Sequence, residues 1–207
     1  MSGWTGERAE TLAAFEEAAQ AFVDLVGQVR GDWDRPGLGV WDLRALVGHT
    51  TRALVTVTTY LDRPAAQEDL TSAAAYLGGS GSVDPGLVAE RGRQAGADLG
   101  DDPAARVAEA AGRAVARVRA VDPDALVETV NGGMRVATYL PTRTFELVVP
   151  SADVALALGL EPDASPAALR EAAGLATQVA LDSGRGQDLL LTLTGRADWP
   201  ADLVVIR

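Results

Sequence analysis

The chain has 207 residues, is 47% apolar and carries a formal net charge of −11. That length fits one domain spanning 1–207, with enough apolar material for a sizeable core. It has no cysteine, and all 18 of its basic residues are arginine. These absences exclude a disulfide framework, a thiolate nucleophile, a cysteine metal knuckle, a P-loop lysine and a Schiff-base lysine. The acidic balance disfavours nucleic-acid backbones and anionic membranes as partners. No apolar run reaches the ~20 residues that span a bilayer. The first residues do not read as a signal peptide, so a cytoplasmic protein is the expectation. Abundant alanine with few aromatics favours close-packed helices, an all-α class.

In chain order, Leu12, Phe15, Ala19, Phe22, Val26 and Val29 recur every three or four residues, which predicts a helix over residues 8–29. A loop with Pro36 follows. Asp42 reads as the N-cap of a second helix, whose inner face carries Leu43, Leu46, Thr50, Leu54, Val57 and Leu61. The single histidine, His49, falls on or beside that face. Pro64 closes the helix. Residues 65–101 are rich in Ala, Gly, Asp and Ser. They read as a long crossover with short helical pieces near Tyr76-Leu77 and Leu87-Val88 and a flexible tip at 78–82. Asp101-Asp102-Pro103 opens a third long helix along Val107, Ala111, Ala114 and Val118.

Asp122-Pro123 interrupts the pattern. Residues 126–130 read as extended and Asn131-Gly132-Gly133 as a turn. A fourth long helix starts near Ala137, tolerates Pro141 in its first turn and ends at Gly159. Ser165-Pro166 opens a further helix, 188–194 a short last one, and Leu203-Val204-Val205-Ile206 reads as a short C-terminal strand. Trp4, Trp33 and Trp199 fall in loops or termini, where each could line a pocket or plug a bundle edge.

Two runs carry the chemistry. One is Trp41-Asp42-Leu43-Arg44-Ala45-Leu46-Val47-Gly48-His49. The other is Thr142-Arg143-Thr144-Phe145-Glu146-Leu147-Val148-Val149-Pro150, a carboxylate within an apolar helix. They resemble the metal-site motifs W-x-x-R-D-L-x-x-H and T-R-x-x-E-x-x-x-H of the DinB-like superfamily, in particular its mycothiol-dependent maleylpyruvate isomerase branch. Gly133-Met134, Asp153 with its Ala-Leu-Ala-Leu-Gly continuation, and the run Leu189 to Arg196 are similar to further family signatures, in the right order.

The resemblance implies a DinB-like four-helix bundle with a long crossover. It also implies a divalent metal that activates a thiol such as mycothiol for transfer to an electrophile or for isomerisation, and members often form homodimers. His49 then stands at the first ligand position and Glu146 at the second. Pro150 stands at the third, where it offers no donor. Asp153, seven residues after Glu146, is a substitute ligand if the helix stays regular. Proline also lacks the N–H that would bond the Glu146 carbonyl, so a kink or restart is expected there.

Several readings of these residues stay open. His49 could bond Glu146 without any metal, the leading expectation for a site with two sure donors, or the pair could work as a general base. Glu146 could instead pair with Arg143, one turn earlier. Arg143 and Arg196 are the candidates to hold carboxylates of a thiol or substrate. The expected site is a bundle cleft lined by His49, Glu146, Arg143 and Asp153. The functional expectation is a diverged thiol-dependent transferase or isomerase acting on a small organic substrate. The alternatives are a metal-free binding or regulatory module and a metal-free His49–Glu146 acid/base enzyme.

Overall fold

A computed structural model describes residues 3–78 and 85–200. In chain order the elements are α1 (Glu7–Val26), α2 (Leu43–Leu61), α3 (Ala73–Gly78), α4 (Pro85–Ala97), α5 (Pro103–Ala120), β1 (Leu126–Thr129), β2 (Gly132–Arg135), α6 (Val136–Leu158), α7 (Pro166–Asp182) and α8 (Gly186–Leu193). The protein is thus mainly helical, as its composition predicts. The expected C-terminal strand at 203–206 and most of the 78–82 tip lie outside the described residues.

Four long helices make the bundle. α1 packs on α5 and α6, and α2 packs on the same two, which sets the order α1–α5–α2–α6 around the core. Phe15 and Phe22 of α1, Leu46, Leu54 and Val57 of α2, Val107 and Val118 of α5, and Leu140 and Leu147 of α6 are fully buried between them. These are the apolar stripes of the sequence, turned inward because burial of each large side chain is worth roughly 1.5–3 kcal/mol. Trp4 plugs one end: it is buried, and its Nε1 donates to the carbonyls of Val118 and Val121 at 3.1 and 3.2 Å.

The starts of the helices follow from side chains that satisfy free backbone donors. Asp42 accepts from the Ala45 amide at 2.7 Å, Asp102 from the Ala105 amide at 3.0 Å, and Ser165 from the Ala168 amide at 3.2 Å. At its end α6 turns off at Gly159, in the left-handed region at φ 73°, where glycine meets no Cβ penalty. α1 stops at Val26, three residues short of the expected end, with Gly27 as its C-cap. The short hairpin β1–β2 pairs antiparallel, Val127 opposite Met134, and feeds directly into α6.

Two expectations need correction. First, the helical piece expected near Leu87-Val88, α4, is not short. It is a 13-residue helix packed along α2. Its glycines permit that approach: a Cβ on Gly48 of α2 would collide with the backbone of Ala95 and Gly96 of α4, and one on Gly92 would strike the Trp41 ring at 2.5 Å. Second, α6 does not restart at Pro150 but runs as one helix from Val136 to Leu158, with the expected end at Gly159. The missing N–H of Pro150 leaves the Glu146 carbonyl without its usual helical donor.

Candidate functional site

His49 sits midway along α2 and is half-buried. Its position is defined by Trp41, whose ring stacks on the imidazole with centroids 4.7 Å apart. Trp41 is itself held from behind, since its Nε1 donates to the Ala89 carbonyl of α4 at 3.0 Å. The Gly92 contact lets the indole lie flat on that helix. Hence α4 and Trp41 form a wall that takes one side of His49 out of water. Burial is the main cause of a pKa pushed below the ordinary histidine value, Arg52 adds to the depression, and Glu146 opposes it. A histidine so depressed is neutral at pH 7 and able to accept a proton.

Glu146, half-buried on α6, is near enough for its charge to act on His49, on Tyr76 and on Arg143. The contact with His49 is electrostatic only: no hydrogen bond joins them, and they do not approach within the 4.0 Å of an ion pair. The directly bonded pair expected from the sequence is therefore not formed. The alternative expectation, an Arg143–Glu146 ion pair, is not formed either.

Arg143 has other company. It is 7% exposed, and its guanidinium lies over the faces of Tyr139 and Tyr76, 4.9 and 5.4 Å from the ring centroids. Tyr60 packs against Tyr139 at 5.5 Å and Tyr76 against Tyr139 at 5.8 Å. All three tyrosines of the chain thus gather beside one arginine. Its Nε donates to Thr142 Oγ1 at 3.0 Å and its Nη1 to Thr56 Oγ1 at 3.4 Å. The Tyr139 hydroxyl donates to the same Thr56 oxygen at 3.2 Å. Each such cation–π contact is worth roughly 0.5–2 kcal/mol when desolvated, which offsets part of the cost of burying the charge. Burial works against the Arg143 charge, while Tyr139, Tyr76, Glu146 and Tyr60 favour it, and the net shift is upward. Burial raises the Tyr139 and Tyr76 pKa values, so both phenols remain neutral donors at working pH. Among the described residues Arg143 Nη2 makes no hydrogen bond, whereas Nε and Nη1 do.

The remaining predicted residues fall elsewhere. Asp153 shares the face of Glu146 but lies two turns on, about 10.5 Å along the axis, too far for both carboxylates to grip one ion through ~2 Å bonds. Burial raises its pKa. Among the described residues no group of three or more His, Asp or Glu side chains is gathered as a metal would require. The donors present therefore do not fit a three-ligand metal site: two stand near each other, the third position is proline, and the substitute is displaced along the helix. Arg196 follows α8, which packs on α7, and its Nη1 donates to the Thr194 carbonyl at 2.9 Å. It is exposed and is not brought into contact with the residues around His49. The cavity between α1, α6 and α7 does not include His49, Glu146, Arg143 or Asp153.

Residues 15–155 match the family described as Mycothiol maleylpyruvate isomerase N-terminal domain. The chain belongs to that family. The matched span runs from inside α1 to near the end of α6, and so contains α2 and α5 whole, most of α1 and α6, and His49, Arg143 and Glu146. Comparison with the curated proteins and with the solved structures gives no match. No helix among the described residues is long and apolar enough to cross a membrane.

The sequence reading missed Tyr60, Thr56 and the full role of Trp41. A partial signal existed: Thr56 and Tyr60 on α2, and Tyr139 and Arg143 on α6, are each spaced by four and so share a helix face. Nothing in the sequence announces that α3 would bring Tyr76 to the same place.

Proposed function

We propose that this protein is a diverged thiol-dependent enzyme of its family, a transferase or isomerase for a small organic substrate, with His49 as its base. The observation that carries the reading is the environment of the one histidine: walled by Trp41, kept neutral by burial, and facing the Glu146 charge. In this scheme a low-molecular-weight thiol such as mycothiol passes its S–H proton to a ring nitrogen of neutral His49. The sulfur then adds to the electrophilic carbon of a conjugated double bond: the C–S bond forms as the π bond breaks, and the displaced electron pair takes up the proton that His49 holds. Glu146 stabilises the resulting imidazolium through space, the role a carboxylate plays beside a general base. Arg143, through the Nη2 that makes no hydrogen bond among the described residues, would anchor a carboxylate of the thiol or substrate, since a guanidinium pairs well with that group.

A metal-borne version of the chemistry needs a third donor that Pro150 and Asp153 do not supply, so no step is routed through a metal. The test is thiol consumption with a small electrophile, using protein purified without a histidine tag and analysed for metals. The expected outcome is activity without stoichiometric metal, reduced ~10²–10⁴-fold by His49→Gln. Equal rates for wild type and His49→Gln would end the reading.

A second reading, a binding or regulatory module with no chemistry, draws support from Pro150, which offers no donor at the third position of the family motif. It predicts that thiols or small acids raise the melting temperature while no thiol is consumed.

A further inference from the structure

A cavity among the described residues lies on a different face of α6. On a helix that turns 100° per residue, Leu147, Ser151 and Ala155 are centred about 115° away from Tyr139, Arg143 and Glu146. There α1, α6, the loop 160–165 and the start of α7 enclose about 690 Å³, a volume in the usual range for small-molecule sites. The hollow arises from small side chains where helices meet: Ala18 and Ala21 on α1, Ala152 and Ala155 on α6, Ala168 on α7. Leu25, Leu147, Val148 and Leu169 complete an apolar floor.

The charge around it has one sign. Asp24, Glu161 and Asp163 line the cavity, and no arginine does. None of the three is in an ion pair among the described residues, although other carboxylates of the chain, such as Glu16, Asp62 and Asp124, are paired with arginine. Asp24 receives a hydrogen bond from Gln20 at 2.8 Å, which leaves its charge uncompensated. A second, independent feature stands on the same wall. Ser151 is half-buried there, and its Oγ has no hydrogen-bond partner among the described residues. Hydroxyls elsewhere on helices of this chain bond the carbonyl four residues back, as Thr50 and Thr51 do at 2.9 and 2.7 Å. Ser151 does not, and a buried hydroxyl left unpaired costs free energy unless something else satisfies it.

We propose that this cavity is a second binding site, for a small organic amine: an apolar body on the alanine-lined floor and an ammonium group at the Asp24, Glu161 and Asp163 rim. An anion is opposed by three like charges, and a neutral apolar molecule leaves the rim unused. The site is independent of His49, so it stands or falls apart from the thiol reading.

The test compares three probes of one length, n-hexylamine, hexan-1-ol and hexanoate, by calorimetry and by backbone amide NMR shifts of the full chain. The amine should bind roughly threefold to tenfold more tightly than the alcohol at low ionic strength, as expected for a few exposed charge pairs. Hexanoate should bind weakest. The shifts should map to α1, α6 and residues 160–169, and salt should erase the amine's advantage. Ala152→Leu should fill the cavity and abolish binding of amine and alcohol alike. The triple variant Asp24→Asn, Glu161→Gln, Asp163→Asn changes only exposed side chains; it should fold and bind amine no better than alcohol. Equal binding of amine and hexanoate, no binding of the amine, or amine binding that survives Ala152→Leu would overturn the proposal. So would a wild-type dimer that Ala152→Leu converts to monomer, because the face would then be an interface between two copies.

Discussion

Substituting Gly48 with alanine tests the wall that makes His49 a buried base. A Cβ at Gly48 would overlap the backbone of Ala95 and Gly96 in α4, and backbone cannot swing aside as a side-chain tip can. Forcing a methyl group into such a contact costs typically 1–3 kcal/mol. Helix propensity acts in the other direction, since alanine is favoured over glycine by roughly 0.5–1 kcal/mol in a helix interior. The net expectation is a loss of roughly 0.5–2 kcal/mol, or a melting temperature lower by about 1–8 °C for a chain of this size. Gly112 on α5 and Gly174 on α7 supply the control. Both are exposed helical glycines with nothing within 4 Å of an added Cβ, so alanine there should raise the melting temperature. The assay is thermal unfolding of the three single variants, with near-ultraviolet circular dichroism reporting on Trp41. If Gly48→Ala stabilises the protein as much as Gly112→Ala does, α4 does not lie on α2 as described and the wall over His49 is lost from the argument.

Other predictions concern the site and its supports. Pro150→His places a donor one turn after Glu146, on the face that His49 approaches, and should give a protein that takes up near-stoichiometric zinc where wild type does not. Elemental analysis decides, and an empty Pro150→His protein would mean that His49 and Glu146 are not placed for shared ligation. Asp42→Ala removes the cap on the Ala45 amide at the start of α2 and should cost about 1 kcal/mol, read by urea unfolding; no change would mean that the cap is replaced by water. Glu171 is half-buried on α7 and burial raises its pKa. A carboxyl raised in the fold favours folding below its unfolded pKa, and that contribution is lost as pH rises through the folded value. Glu171→Gln should therefore raise the melting temperature at pH 7 relative to wild type and lose that advantage towards pH 4. An advantage independent of pH would refute the assignment.

Much of this architecture was legible because the signals were periodic. The stripes of α1, α2 and α5, the caps Asp42, Asp102 and Ser165, and the stop at Gly159 are local rules that tertiary contacts did not override. The misreadings came from residues whose meaning is set by a partner. The glycines of α4 read as loop formers, yet Gly92 and Gly96 are there because Trp41 and α2 come close. Pro150 read as the place of a kink or restart, yet α6 runs through it as one helix. At the site, the family motif located His49 and Glu146 but could not tell that they meet only through space. Asp153 failed as a substitute ligand for a reason of length, since a shared face two turns apart is not a shared point. Arg143 was found for its charge, whereas its surroundings, three tyrosines from three different helices, depend on the fold itself.

The most direct test of the central claim uses the fact that the chain has a single histidine. The imidazole ring proton of His49 gives one NMR signal, which can be followed against pH without ambiguity. The account predicts a pKa below the ordinary 6.5 in wild type, because burial disfavours the imidazolium, and a further fall in Glu146→Gln, because Glu146 is the group that favours it. A wild-type value at or above 6.5, or a value that Glu146→Gln leaves unchanged, would contradict the claim that His49 is a neutral base coupled to Glu146.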